Sequence, residues 1–164
     1  MNRDQLRRAA AEIQRTSIVP HCPVCTKPCC KLDELVLDLA WREARALYQI
    51  TKSRRDFDAA LADGSGPAHI KEHAGRYYAH GAPCPAYDTE TTLCRVYGTD
   101  VKPQGCTDFP VYLDGDAVTA DRRCEAVDVD AVERALVAAV PRARLRRVRD
   151  AQFPEMLVSW EPEA

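Results

Sequence analysis

The feature that most constrains this chain is a cluster of four cysteines within nine positions, in the segment HCPVCTKPCC at residues 21–30. Their spacing is C-x2-C-x3-C-C. A C-x2-C turn, here Cys22 to Cys25, lets two thiolates converge on one metal ion. Adjacent cysteines in an extended backbone aim their side chains to opposite sides. The motif therefore predicts three thiolates at one centre, and it leaves open whether Cys29 or Cys30 is the third ligand.

Three thiolates leave a four-coordinate site incomplete, so a further ligand must come from elsewhere in the chain. The second half of the sequence supplies four more cysteines, most of them close to turn-forming residues: Cys84, Cys94, Cys106 and Cys124. Metal ligands that join distant segments make folding depend on the metal.

The N-terminal segment MNRDQLRRAAAEIQRT carries charges throughout and lacks the apolar stretch of a signal peptide. No run approaches the roughly 20 apolar residues that span a bilayer. We therefore expect a cytoplasmic protein without membrane contact, in a compartment where disulfides are rare. Eight cysteines in such a compartment indicate metal binding or redox chemistry, because burial as small apolar side chains accounts for only one or two of them.

Net charge and composition limit the classes of partner that the chain is expected to bind. The formal net charge is −2, and 46% of the 164 residues are hydrophobic, which is enough for one core. The densest basic stretch, residues 142–149, interleaves arginine with Ala143, Leu145 and Val148, as on the solvated face of a strand or helix end. We expect no nucleic-acid partner and leave a protein partner open.

Hydrophobic spacing predicts helices at three places, the second of them long: residues 3–15, a segment from about Leu39, and residues 128–140, with Asp128 or Asp130 at the start and Pro141 at the end. The segment AHIKEHAGRYYAHG, residues 68–81, has no clear periodicity and is interpreted as loop or short helix. The C-terminal WEPEA is expected to be loose.

Short apolar pieces between turn residues predict strands, with a hairpin at Asp114-Gly115. These strands are residues 35–37, 93–97, 108–113, 117–120 and a segment from Leu145 to Phe153. The expected fold is α+β: one small domain over residues 1–164, with helices, short strands and loops around a cysteine-rich metal core at 20–125. The helix and strand at 128–153 pack on that core.

The ordered motifs resemble those of the YkgJ family, described as zinc- or iron-chelating and as containing iron–sulfur clusters. The segments that carry the resemblance are the C-x2-C-x3-C-C motif, CPAYDTETTLCRVYG (84–98) and KPQGCTDFP (102–110). This chain has Lys102 where the family usually has arginine, a different loop at 98–102, and no glycine after the second cysteine. The resemblance, which extends from Cys22 to Pro110, implies metal ligation by seven cysteines: Cys22, Cys25, Cys29, Cys30, Cys84, Cys94 and Cys106. We expect Cys124 to be the eighth ligand.

The sequence leaves open whether the cysteines bind an iron–sulfur cluster or zinc. A [4Fe-4S] cluster takes a three-cysteine motif with a distant fourth ligand, and Cys84-Pro85 is typical of cluster ligands. Zinc would form closed four-thiolate sites. The resemblance favours the iron–sulfur cluster, in a protein that transfers electrons or handles metal; the alternative is a zinc-binding structural adaptor.

Enzymatic alternatives are weaker. A flagellin lysine methylase resembles this family in its cysteine motif, which keeps a cluster-dependent methylase open. The sequence has no glycine-rich nucleotide loop or nucleophile elbow, so we expect no enzyme activity from the chain alone. A catalytic C-x-x-C pair would need a βαβ context that the sequence does not offer.

Other residues near the cysteines are ambiguous. His21 adjoins Cys22 and is a candidate for a supporting or alternative ligand, whereas exposed or hydrogen-bonded side chains explain the other three histidines. Several cations lie within four residues of a cysteine and would offset thiolate charge: Lys27, Lys31, Arg95, Lys102, Arg122 and Arg123.

Overall fold

The computed structural model describes residues 3–141 and 144–163. The fold is α+β, as predicted, and its contacts cluster into two compact units. We call Met1–Lys27 with Asp108–Ala164 the terminal unit, and Pro28–Thr107 the central unit. The organisation as one domain over residues 1–164 stays a prediction.

The terminal unit begins with α1 (Arg3–Ile13), where the sequence predicted a helix. Leu6, Ala9, Ala10 and Ile13 lie on its buried face, at the spacing of one helical stripe. A π-helical segment (Gln14–Ile18) and a 3₁₀ segment (Val19–Val24) continue the chain, so the helical path runs past Pro20 into the first cysteines.

A four-stranded antiparallel sheet in the order β4-β5-β7-β6 supports the terminal unit. Its strands are β4 (Val111–Asp114), β5 (Ala117–Asp121), β6 (Leu145–Arg149) and β7 (Leu157–Pro162). The predicted hairpin is confirmed: Asp114 pairs with Ala117, and Gly115 has φ +57°, a conformation that favours glycine.

The helix α5 (Val129–Ala139) confirms the predicted C-terminal helix and begins at Asp128, whose side chain accepts hydrogen bonds from two backbone N–H groups. The predicted loose tail is wrong. Trp160 lies in β7 with no exposed surface, because it completes the core between the sheet and the helices. Arg142 and Ala143 of the basic stretch, and Ala164 of the tail, lie outside the described residues.

The central unit contains a three-stranded antiparallel sheet in the order β1-β3-β2. Its elements are a 3₁₀ turn (Cys29–Lys31), β1 (Leu37–Leu39), α2 (Trp41–Leu47), α3 (Arg54–Ala62), β2 (Ile70–His73), β3 (Arg76–Ala79) and α4 (Gln104–Asp108). The strand predicted at 35–37 is displaced by two residues.

Two expectations for the central unit are wrong. The long helix from Leu39 is two helices, because Gln49 takes a left-handed conformation (φ +52°) and Ser53 starts the second helix by accepting a hydrogen bond from the backbone N–H of Asp56. The histidine-rich segment is the β2–β3 hairpin, turned by Ala74 and Gly75, which both have positive φ.

The strand predicted at 93–97 is also wrong. This stretch is turn, with one isolated bridge between Tyr87 and Cys94. The Asp88 carboxylate accepts hydrogen bonds from the backbone N–H groups of Glu90 and Thr91, and Thr92 has φ +59°. The local side-chain bonds therefore replace strand pairing. Among the described residues, no helix has the length and apolar character needed to cross a bilayer.

Candidate metal centre

Five of the eight cysteines belong to the central unit: Cys29, Cys30, Cys84, Cys94 and Cys106. The first two lie in the 3₁₀ turn, which ends where Leu32 adopts a left-handed conformation (φ 57°). Because the backbone here is sharply turned rather than extended, the side chains of the adjacent Cys29 and Cys30 need not point to opposite sides.

Backbone hydrogen bonds bring three of these cysteines together. The N–H of Cys84 donates to the carbonyl oxygen of Cys30, with N and O 2.8 Å apart. The N–H of Tyr87 donates to the carbonyl of Cys84 (2.9 Å), and Tyr87 in turn bridges to Cys94. The chain around residues 84–94 is therefore folded back on the 3₁₀ turn without helix or strand.

Cys106 lies on the short helix α4. Glu43 of α2 holds the start of that helix, since its Oε1 accepts from the backbone N–H of Gln104 at 2.8 Å. Its Oε2 accepts from the N–H of Ala40 at 2.7 Å, so one carboxylate links the N-termini of α2 and α4. Pro103, directly before α4, is fully buried.

The thiols interact with one another. The Cys30 thiol hydrogen-bonds to the sulfur atoms of both Cys29 and Cys94, and this lowers the pKa of Cys29 to about 7 and that of Cys94 to about 6. The same two hydrogen bonds raise the pKa of Cys30. Cys30 therefore acts as the donor between two sulfur atoms with thiolate character.

Burial acts in the opposite direction on the remaining two thiols. It raises the pKa of Cys84, and it raises that of Cys106 to about 12, with the neighbouring sulfurs adding to the effect. Cys84 is buried, Cys30, Cys94 and Cys106 are half-buried and Cys29 is exposed. Thiols grouped in this way cannot all ionise unless a cation compensates them. A bound metal centre provides that compensation, so the donor set fits a thiolate-ligated metal.

Lys102 supplies positive charge beside this group. Its ammonium adds to the lowering of the pKa of Cys29 and Cys94 by the Cys30 hydrogen bonds, and it offsets part of the rise at Cys106. Its Nζ lies 4.3 Å from the ring centroid of Tyr97. A cation–π contact fixes the long side chain. The lysine at the position where the family usually has arginine therefore keeps the cation beside the sulfurs.

Tyr48 places an unsatisfied hydroxyl next to the thiols. Its Oη is buried and has no hydrogen-bond partner among the described residues. Its pKa is raised to about 12, first by burial and then by the charges of Cys84 and Cys106. A buried donor without an acceptor is costly, by about 1–3 kcal/mol, and a metal-bound sulfur is an acceptor of the kind it lacks.

The other three cysteines, Cys22, Cys25 and Cys124, belong to the terminal unit. The N–H of Cys25 donates to the carbonyl of Cys22 at 3.3 Å, which closes the C-x2-C turn that the sequence predicted. Cys124 is half-buried against the apolar core of this unit. The prediction that all eight cysteines are ligands stays a prediction.

Sequence reasoning missed Glu125. Its Oε1 lies 2.7 Å from Nε2 of His21, and Thr26 donates to the same carboxylate from its N–H (2.7 Å) and its hydroxyl (2.5 Å). The Thr26 hydroxyl, then His21, hold the pKa of Glu125 down at about 2. The available signal was its position directly after Cys124, but its partners lie about a hundred residues earlier.

The remaining histidines do not gather at the cysteines. The ring centroid of His69 lies 5.7 Å from that of Tyr48, with the two rings tilted by 38°, and His80 Nε2 lies 3.2 Å from the carbonyl oxygen of Asp33. His73 is exposed on β2. These positions agree with the expectation of exposed or hydrogen-bonded side chains.

Comparison with protein-family models matches residues 21–125 to the family described as "CxxCxxCC: Putative zinc- or iron-chelating domain". The match includes all eight cysteines and confirms the resemblance that the motifs indicated. Comparison with curated proteins gives no match, and neither does comparison with solved structures.

Proposed function

Because the chain belongs to the CxxCxxCC family of zinc- or iron-chelating domains, we propose that its central unit holds an iron–sulfur cluster of the [4Fe-4S] type. Four of the five thiols in that unit would hold the cluster. The cytoplasm is the compartment that fits this use, because thiols stay reduced there.

The observation that carries the proposal is the interaction of the five thiols of the central unit. Cys29, Cys30 and Cys94 share hydrogen bonds, and burial and then the charges of Cys29 and Cys94 raise the pKa values of Cys84 and Cys106. A [4Fe-4S] cluster takes four cysteine thiolates from segments that need not be close in sequence. The 3₁₀ turn, the segment around residues 84–94 and α4 are three such segments.

Three details of the surroundings support iron–sulfur ligation. Cys84 is followed directly by Pro85, a sequence common at cluster ligands. Lys102 offsets the negative charge that four thiolates bring. The Tyr48 hydroxyl is a donor that can reach a sulfur acceptor when the centre is filled.

A bound cluster would supply one-electron transfer. The protein's own residues would hold the thiolates in place, and the apolar residues packed around them in the central unit would limit access of water. The Tyr48 hydroxyl and the Lys102 charge would adjust the reduction potential of the cluster. We propose that the protein transfers electrons or handles metal together with a protein partner.

Zinc is the second candidate for the same thiols, because the family description includes zinc and four thiolates can form a closed structural zinc site. Such a site would be purely structural and would make the protein an adaptor. The two candidates differ in redox behaviour, since zinc has no accessible redox state.

The test is an anaerobic purification followed by iron, zinc and sulfide analysis and by voltammetry. We expect about four iron atoms and four sulfides per chain and a reversible reduction wave. Cys84→Ser is expected to lose most of the iron, whereas the matched Cys124→Ser, in the terminal unit, retains it. A colourless protein with neither iron nor zinc would end the proposal, and zinc with redox silence would favour the adaptor.

A further inference from the structure

We propose that the terminal unit has a metal site of its own, in which His21, Cys25 and Glu125 bind a zinc ion. All three residues belong to the terminal unit, so this set shares no ligand with the five cysteines of the proposed cluster. The two proposals stand on different observations.

The first argument is geometric. One imidazole nitrogen, one sulfur and one carboxylate oxygen from these residues all lie within 4.8 Å of one another. Zinc lies about 2.0–2.3 Å from nitrogen, oxygen and sulfur ligands, so ligand atoms around one ion are roughly 3.3–3.8 Å apart. The observed spacing therefore needs only small side-chain adjustments to receive the ion.

The second argument is that the carboxylate is already oriented. Thr26 donates to both oxygens of Glu125, from its N–H and from its hydroxyl. These two hydrogen bonds fix the orientation of the carboxylate next to Thr26, the residue after Cys25. In this orientation Oε1 lies 2.7 Å from His21 Nε2. Hydrogen bonds that orient a ligand in this way are typical of metal sites and strengthen binding.

The third argument is the donor chemistry. Nitrogen, sulfur and oxygen donors in one set suit zinc, which accepts all three. Magnesium and calcium prefer oxygen donors alone, and iron–sulfur clusters take mainly cysteine. Three protein ligands also leave a fourth position for water, as in open zinc sites.

The backbone explains why these residues meet. The 3₁₀ segment Val19–Val24 and the turn after it present His21 and Cys25 from one stretch of chain. Glu125 comes from the connection between β5 and α5. The side chains of His21 and Glu125 are 37% and 25% exposed, so an ion from solution can enter. Zinc would link the N-terminal turn to this connection and stabilise the terminal unit.

The experiment measures zinc affinity of the full chain by competition with a chromophoric chelator under anaerobic conditions. The site variants are His21→Gln and Glu125→Gln. The matched controls are His73→Gln, an exposed histidine, and Glu12→Gln, an exposed carboxylate paired with Arg15. We expect each site variant to weaken zinc binding at least about tenfold and the controls to leave it unchanged.

X-ray absorption at the zinc edge of the unsubstituted protein gives an answer that does not depend on how the variants fold. We expect one sulfur and two or three nitrogen or oxygen neighbours around zinc. A four-sulfur shell, or equal zinc affinity in all five proteins, would overturn the inference. Iron content measured on the same samples separates this result from the proposed function, because the site variants should keep their iron.

Discussion

The terminal and central units are held together by different means. The terminal unit has a four-stranded sheet and two helices around an apolar core, with Leu136 and Trp160 without exposed surface. The central unit has a smaller core in which Cys84 is buried and Cys30, Cys94 and Cys106 pack against the apolar residues. Hydrophobic burial is sufficient for the first arrangement, whereas the second places reactive thiols where apolar side chains would otherwise stand.

The backbone shows the same contrast. Between β3 and α4 of the central unit, residues 80–103 are turn and bend, with one isolated bridge at Cys94. Loops of this length without regular structure are uncommon in compact units and are usually functional. Two of the five thiols, Cys84 and Cys94, lie in this loop, and Cys106 lies in the helix that follows it. Ligation to a metal would therefore give the loop the order that strand pairing gives the terminal unit.

The largest expected difference between the two units is their response to removal of metal. Chelation under anaerobic conditions is expected to speed hydrogen exchange of the β3 amides at least roughly 100-fold, because ligand binding supplies folding free energy to the central unit. The β5 amides of the terminal unit should change much less, through the proposed zinc site alone. Mass spectrometry of exchange, peptide by peptide, measures both. Equal protection of β3 before and after chelation would contradict the metal dependence.

A core truncation tests the apolar unit in turn. Leu136→Ala is expected to lower the free energy of unfolding by about 2–5 kcal/mol, because it leaves a cavity under α5. The neighbouring Val137→Ala, at a side chain 51% exposed, is the matched control and should change stability by less than about 0.5 kcal/mol. Denaturant unfolding with metal analysis checks both, and iron loss in Leu136→Ala would show that the units are not independent in stability.

The smallest expected effect concerns a pair of buried donors. Tyr48 Oη in the central unit and Trp160 Nε1 in the terminal unit both lack a partner among the described residues, but only Tyr48 adjoins cysteines. Tyr48→Phe should destabilise the metal-loaded protein by about 1 kcal/mol and stabilise the metal-depleted protein by about 1 kcal/mol or more, because in the depleted protein it removes a buried hydroxyl that has no acceptor. It should also lower the reduction potential, because a hydrogen bond to sulfur favours the more negative reduced state.

Tyr78→Phe, at a half-buried tyrosine of β3, is the control for that experiment. A potential that stays the same in Tyr48→Phe, measured by voltammetry on the loaded protein, would mean that the hydroxyl does not act on the centre. The comparison of loaded and depleted proteins then separates an effect on the metal from an effect on packing.

The sequence predicted the elements whose signals are local. The helix from Arg3, the hairpin at Asp114-Gly115 and the helix after Asp128 follow from apolar spacing, turn residues and a cap. The β2–β3 hairpin was missed because its turn uses Ala74 in a conformation that alanine rarely adopts. The buried position of Trp160 was missed because it depends on strands distant in the chain.

The same distinction between local and long-range signals applies to the candidate site. Spacing identified the cysteines, since C-x2-C turns and turn-rich surroundings are local features. Their grouping, with Cys29 and Cys106 in one unit and Cys25 in the other, depends on long-range contacts that the sequence does not reveal. Glu125 was missed for the same reason, because its hydrogen-bond partners Thr26 and His21 lie far away in the sequence.

The most direct test of the central claim is anomalous diffraction at the iron edge from crystals grown anaerobically. The account predicts a strong iron peak within bonding distance of sulfur atoms from the cysteines of the central unit, with Cys84 and Cys106 among them. Density that contains no metal beside these thiols, with their side chains directed away from one another, would contradict it.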